Sequence, residues 1–230
     1  MLRKITFTGI DKHTDVNQLC ELARDYPKVE FGFLIFDQKR EQEETRCDPL
    51  ILQDYRGAGL SLSLHVCGGL KRRLTHIGDW SEIRSFMQGY FSLFGRVQLN
   101  GCGKNLHWNL TVPPEISEVI IQQPSASNMP FYQKYLDNQA KIPGNFTVLF
   151  DASSGRGQYT ETFETANLPY AGYAGGLGPD NVRKAVLALE SDEAVQSYWI
   201  DMQTGVRDAN DRFSALLCRK VCEELGEYAL

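Results

Sequence analysis

Strand-like and helix-like segments alternate along the whole chain, and this repeat constrains the fold more than any other feature. No linker-like interval interrupts it. The eight predicted strands cover residues 5–8, 29–36, 60–67, 96–100, 118–122, 146–151, 170–175 and 198–202. Eight is the strand number of a (β/α)8 barrel, and 230 residues suit one such barrel. We therefore expect an α/β fold with a single (β/α)8 (TIM) barrel domain spanning residues 1–230, the alternative being an open doubly wound sheet.

Helices are predicted over residues 15–25, 80–90 and 179–189, after the first, third and seventh strands. Asp15 and Asp79 are suited to cap helices, and Pro179 suits a first helical turn. The proline-rich segment 108–114 predicts a short or irregular fourth crossover.

Composition narrows the class of protein. With a formal charge of −5, the chain has no overall positive electrostatic field that would attract nucleic acid. No apolar stretch approaches the length of a membrane span. The amino-terminal residues lack the apolar core of a secretion signal, so we expect a cytoplasmic protein, monomeric or homodimeric. No zinc spacing, Walker A or dinucleotide fingerprint occurs, which predicts neither a metal nor an organic cofactor.

The third predicted strand has two different faces. Every second residue from Leu60 to Val66 is leucine or valine, and the intervening positions are Ser61, Ser63, His65 and Cys67. Such alternation indicates either a polar face lining a barrel interior and reaching its mouth, or small core side chains with one buried histidine.

Two glycine-containing turns follow the last two predicted strands. Gly175 and Gly176 lie between a strand and a helix, and Thr204 and Gly205 follow the next strand. Glycine allows backbone N–H groups to approach an anion closely, and the loops after strands seven and eight are the usual phosphate site of such barrels. We therefore predict a phosphorylated small molecule as ligand.

Several motifs resemble those of the phosphoribosylanthranilate isomerases. AGGLGPDNV at 174–182 is similar to the family's GGLNPxNV, and DMQTGV at 201–206 is similar to its DVSSGVE. VQLNG at 97–101 resembles VQLHG, while LFD at 149–151 with GRG at 155–157 resembles LLD followed by GGTGK. The segment Phe31-Gly32-Phe33 also matches, and the matches occur in family order over nearly the whole chain.

The resemblance implies an Amadori rearrangement, in which an aldose-type phosphoribosylamine becomes a ketose. It places Asp151 at the family's general acid, and Thr8 where the family has its cysteine base. A threonine hydroxyl needs another base to activate it, so His65 and Cys67 are predicted as candidate replacements.

The resemblance also indicates substrate-binding positions. Asn100 stands in place of the family histidine, beside Gln98 in the same motif. Arg40 lies one position from the arginine that binds the anthranilate carboxylate, and Arg156 lies in the loop after the sixth strand.

Residues 68–73 carry Lys71, Arg72 and Arg73, and we predict them to form a loop over the pocket. Arg72 would then contact a second anionic group of the ligand, or the three cations form a solvated surface. Cys102-Gly103-Lys104, after the fourth strand, offers another cation.

The leading prediction is an isomerase-like enzyme acting on a phosphoribosyl or related phosphorylated sugar. One alternative is a non-catalytic module that binds a phosphate or nucleotide. Another is a sugar-phosphate lyase or epimerase, which needs a metal or a Schiff-base lysine, for which Lys4 and Lys104 are the only lysines near the predicted strands.

Overall fold

A computed structural model describes residues 1–37, 48–101, 111–123, 144–153, 156–159, 161–165 and 167–230. Its eight parallel strands form a closed barrel in chain order. They are β1 (Leu2–Thr8), β2 (Val29–Ile35), β3 (Leu62–Val66), β4 (Arg96–Leu99), β5 (Glu118–Gln123), β6 (Phe146–Asp151), β7 (Leu168–Ala174) and β8 (Val195–Met202). Strand β1 pairs with both β2 and β8, so the predicted barrel is confirmed and the open sheet is excluded.

The α-helices in the described ranges are α1 (Val16–Asp25), α2 (Gly68–Ile77), α3 (Ser81–Phe86), α4 (Val182–Glu190) and α5 (Ala215–Leu225). Short 3-10 helices cover Pro49–Tyr55, Phe91–Leu93, Thr204–Val206 and Gly226–Ala229. Asp15 caps α1 as predicted, accepting a hydrogen bond from Asn17 N. Helix α4 begins three residues later than predicted, because residues 179–181 complete the turn that precedes it.

The predicted third crossover is wrong in its placement. Instead of one helix over 80–90, α2 begins directly after β3 at Gly68 and ends at Gly78, whose φ of 78° stops the helix. Asp79 then accepts hydrogen bonds from the backbone and hydroxyl of Ser81, at the start of the short α3. In the fourth crossover the described residues 111–117 contain no helix, as predicted, while 108–110 lie outside the described residues.

Apolar side chains between the barrel and its helices form the main core. Leu64 and Val66 of β3 belong to it, together with Leu19 and Leu22 of α1. The amphipathic pattern that predicted these elements therefore places their apolar faces against one another.

The barrel interior is layered. Near the amino ends of the strands, Arg96 contacts Glu30 and Glu118, with Nη1 2.6 Å from Glu30 Oε1 and Nε 2.6 Å from Glu118 Oε2. The Trp199 indole fills the middle, where a methyl group on Gly172 would lie 2.3 Å from it. Polar side chains occupy the carboxyl ends of the strands, so this end carries the candidate site.

Within the described ranges, no helix combines the length and the apolar character needed to cross a lipid bilayer.

Candidate functional site

A cavity of about 400 Å³ opens at the carboxyl ends of the strands. Nine of the predicted site residues line it: Thr8, His65, Cys67, Gln98, Asn100, Asp151, Gly175, Gly176 and Thr204. Its wall also includes Leu34, Phe36, Gln122, Leu149, Ser153, Asp201 and Met202. Side chains from β1, β8 and several strands between them thus line one cavity. It lies at the end of the barrel where the active sites of TIM-barrel enzymes are found.

Four other predicted site residues are not among those that line the cavity. Arg72 is exposed on α2, and Arg156 is exposed with its Nε donating to the carbonyl of Ser153. Gly205 packs beneath the wall, where an added methyl group would lie 2.1 Å from Leu177 O. Arg40 lies outside the described residues.

The glycine turn after β7 depends on conformations that favour glycine. Gly175 and Gly176 have φ values of 138° and 61°. A methyl group on Gly176 would lie 2.2 Å from Tyr159 N, so the segment after β6 packs directly on this turn. Asn181 holds the turn from the other side, accepting from Gly178 N and donating to Gly176 O.

The same segment also reaches the turn after β8. A methyl group on Gly157 would lie 2.4 Å from the hydroxyl oxygen of Thr204. The loops after β6, β7 and β8 are therefore packed together at one side of the cavity.

Asp151 is buried at the end of β6 and receives hydrogen bonds from two neighbours. Its Oδ1 accepts from the backbone N–H and the hydroxyl of Ser153, at 3.0 and 2.7 Å. Its Oδ2 accepts from Gln122 Nε2 at 2.7 Å. The two oxygens of Asp151 are thus acceptors of three hydrogen bonds.

Asp201, at the end of β8, is a second buried carboxyl group in the cavity, and it was not among the residues predicted to act in the site. Thr8 Oγ1 donates to its Oδ1 at 2.7 Å, and Gln98 Nε2 donates to its Oδ2 at 3.2 Å. Burial raises the pKa of Asp201, and the nearby Asp151 raises it further. Asp201 could have been identified from strand alternation, since it lies two residues after Trp199 on β8 and both side chains therefore point into the barrel.

His65 extends this network on β3. Gln98 Nε2 lies 3.1 Å from its Nδ1, and Ser63 Oγ lies 3.1 Å from its Nε2. Gln98 Nε2 also lies 2.9 Å from Asn100 Oδ1, so its two hydrogens are shared among three acceptors. Burial lowers the pKa of His65, which favours the neutral imidazole. Ser63 and His65 are buried inside the barrel, and of the two His65 lines the cavity.

Cys67 follows β3 at the rim, where Asn100 Nδ2 donates to its Sγ at 3.1 Å. Both side chains reach the cavity. The residue predicted to bind substrate and the cysteine predicted as a candidate base are thus direct neighbours.

The predicted cationic loop over residues 68–73 is wrong, because these residues form the start of α2. The start of the helix binds a carboxylate of the same chain: Asp37 Oδ1 accepts from Gly69 N at 2.8 Å. One turn further along, Arg73 Nη1 lies 3.2 Å from Asp37 Oδ2. Lys71 Nζ donates to Gly101 O at 2.6 Å, beside the rim. Among the wall residues that the structure describes, none is a lysine or arginine.

Neither lysine considered for Schiff-base chemistry is seen in the cavity. Lys4 Nζ lies 3.7 Å from Glu30 Oε2 in the lower layer of the barrel, and Lys104 lies outside the described residues. In the part of the chain that is described, no three histidine, cysteine, aspartate or glutamate side chains are grouped so as to hold a metal ion.

The closed barrel and its polar mouth define the chain as a TIM-barrel protein. Its solved structural neighbours include phosphoribosylanthranilate isomerase from Thermotoga maritima, with a TM-score of 0.61 and 16% identity over 98% of each chain. TrpF from Jonesia denitrificans is also similar, with a TM-score of 0.57 and 16% identity over 96% of each chain. The chain thus has the fold of these isomerases, while no family model and no curated protein matches its sequence.

Proposed function

We propose that the protein is an isomerase of a phosphoribosyl compound or a related phosphorylated sugar, acting by an aldose–ketose (Amadori-type) rearrangement. The observation that carries this proposal is the presence of two buried carboxyl groups, Asp151 and Asp201, in the wall of one cavity. Isomerisation needs one group that gives a proton to the ring oxygen and one that takes a proton from the adjacent carbon. Two carboxyl groups in unlike surroundings suit these two roles.

The proposed phosphate anchor is the cluster of loops after β6, β7 and β8. The backbone at Gly175 and Gly176 and the side chain of Thr204 border the cavity there. A phosphate held at this side would fix the sugar relative to the carboxyl groups on β6 and β8, which is how positioning lowers the barrier to proton transfer. The fold shared with phosphoribosylanthranilate isomerases supports this placement.

The opposite side of the cavity is proposed to bind the rest of the substrate. Gln98, Asn100 and Gln122 present amide groups there, which suit neutral hydroxyl or amide groups of a ligand. Arg72 and Arg156 are exposed and do not line the cavity, so they are left out of the proposed binding set, and Thr8 is included as a partner of Asp201.

Thermal stability measured against inorganic phosphate, ribose 5-phosphate, other phosphorylated aldoses and phosphoribosylamines tests the proposal. Compounds that stabilise the protein are then incubated with it, and isomers are separated by chromatography. Asp151→Asn is compared with the exposed Asp54→Asn.

We expect at least one phosphorylated compound to be bound and converted, with conversion lost in Asp151→Asn and retained in Asp54→Asn. Binding without conversion would instead support the non-catalytic binding module. A protein that responds to none of these phosphorylated compounds would contradict both.

A further inference from the structure

We infer that the two carboxyl groups divide the proton transfers between them: Asp201 is protonated in the free protein and acts as the acid, while Asp151 acts as the base. This inference rests on the proposed isomerase function. It also reverses the role of Asp151 that the resemblance implied.

The surroundings of Asp201 provide no positive charge in the part of the chain that the structure describes. Its contacts are the Thr8 hydroxyl, the Gln98 amide and, at 3.9 Å, Nδ1 of His65. Burial lowers the pKa of His65, which favours its neutral form.

The remaining strands add no cation either. The inward residues at the same level are Gly32 and Leu34 on β2, Gln122 on β5, Asp151 on β6 and Ala174 on β7. The one charged group among them is a carboxylate, which further disfavours ionisation of Asp201.

Other buried carboxylates of this chain provide an internal comparison. Asp11 Oδ2 lies 2.8 Å from Nη2 of Arg207, and Glu30 Oε1 lies 2.6 Å from Nη1 of Arg96. Both are paired with a guanidinium group, as buried carboxylates normally are. Asp201 is buried to a similar degree, and no described residue offers it a guanidinium or ammonium partner; a buried carboxyl group in that situation takes up a proton.

Asp151 is surrounded by more hydrogen-bond donors than Asp201. Three donors, two from Ser153 and one from Gln122, are directed at its oxygens. Asp151 is the acceptor in all three, and a carboxyl group held as an acceptor in this way suits the role of a base.

The proposed roles account for every proton in an Amadori-type reaction. Asp201 gives its proton to the ring oxygen as the bond from C1 to that oxygen breaks, which leaves a C1 iminium. Asp151 takes the proton from C2, and the electron pair forms a C1–C2 double bond while the iminium electrons return to nitrogen. Asp151 then protonates C1, and the enol hydroxyl at C2 returns a proton to Asp201, so the ketose forms and both carboxyl groups are restored.

Thr8 acts in this scheme as a positioning residue. A hydroxyl group can donate to a carboxylate and can accept from a carboxylic acid. The Thr8 hydroxyl, 2.7 Å from Asp201 Oδ1, can therefore hold Asp201 in place both before and after it gives up its proton.

Infrared spectroscopy of the ligand-free protein tests the inference without any substrate. We expect the carbonyl stretching band of a protonated carboxylic acid at neutral pH in the wild type and in Asp54→Asn, and its loss in Asp201→Asn. Far-ultraviolet circular dichroism shows whether each variant is folded.

A second measurement identifies the group directly. In protein labelled with 13C-aspartate, the Cγ resonance that titrates at the highest pH should vanish in Asp201→Asn and persist in Asp151→Asn. No acid band in the wild type, or a band that survives in folded Asp201→Asn, would overturn the division of roles. Both measurements are made without ligand, so they test the protonation of Asp201 independently of whether any substrate is converted.

Discussion

The Thr8 hydroxyl donates a hydrogen bond of 2.7 Å to Asp201 across the seam where β1 and β8 close the barrel. The two residues are 193 positions apart in the chain. The position that the resemblance reserved for a cysteine base therefore holds a hydroxyl whose partner is a carboxyl group.

Asp201 should make the protein less stable as the pH rises. Its pKa in the folded protein is above the ordinary value of 3.8, so the folded state holds a proton that the unfolded state has lost. The stabilisation from this proton is complete below 3.8 and is lost as the pH rises through the native pKa. Urea denaturation over this range should show a flatter pH dependence in Asp201→Asn, whereas identical slopes would show that Asp201 has an ordinary pKa.

Gly32 should be intolerant of alanine because it gives space to the network around Asp201. A methyl group there would lie 2.6 Å from Thr8 Oγ1 and 2.9 Å from His65 Nε2. Gly32→Ala should lower the free energy of unfolding by about 1–3 kcal/mol, as overpacking of a core does. Gly95→Ala is the control, because its nearest contact would be Ser117 Oγ at 3.6 Å; similar losses in both variants would contradict this account.

Arg96 should contribute strongly to stability through its buried contacts. Burial alone would raise the pKa of Glu30, but the charges of Arg96 and Lys4 outweigh it and keep that pKa below the ordinary value. Arg96→Met leaves Glu30 buried without its guanidinium partner and should cost about 3–5 kcal/mol.

Denaturant unfolding of Glu30→Gln/Arg96→Met should recover part of that loss, because no buried Glu30 charge remains. The exposed pair of Lys184 and Glu161 is the control, and Lys184→Met should leave stability nearly unchanged, because solvent screens an exposed ion pair. If Arg96→Met and Lys184→Met lowered the free energy of unfolding equally, burial would not explain the contribution of Arg96.

Gly176 should matter for both conformation and ligand binding. Gly176→Ala combines an unfavourable φ of 61° with a contact of 2.2 Å to Tyr159 N. Gly57 has a φ of 77° and nothing within 4 Å, so Gly57→Ala isolates the conformational cost, about 1–2 kcal/mol. Phosphate-dependent thermal stabilisation should be lost in Gly176→Ala and kept in Gly57→Ala; its persistence in a folded Gly176→Ala would place the phosphate elsewhere.

The sequence predicts the barrel well because strand and helix periodicity is a local property. The inward placement of Ser63 and His65 follows from the same period of two residues. Helix α2 was not predicted because Gly68 and Gly69 suggest a loop, although the Gly69 N–H donates to Asp37 at the start of a helix. The Thr8–Asp201 contact could not be read from the chain, since it exists only once the barrel closes.

The hydrogen-bond partners of Asp151 and Asp201 could not be predicted from the sequence either. The donors to Asp201 come from β1 and β4, and those to Asp151 come from β5 and from Ser153 after β6. Strand alternation can suggest which residues point inward, but the neighbours across the barrel decide their protonation.

The measurement that tests the central claim most directly is 1H NMR in D2O of the wild type with each phosphorylated aldose or phosphoribosylamine that stabilises it. We expect the C2 proton signal of one such compound to decline while ketose signals grow, and neither change in Asp151→Asn or Asp201→Asn. Persistence of the unaltered aldose signals for every compound that binds would contradict the account.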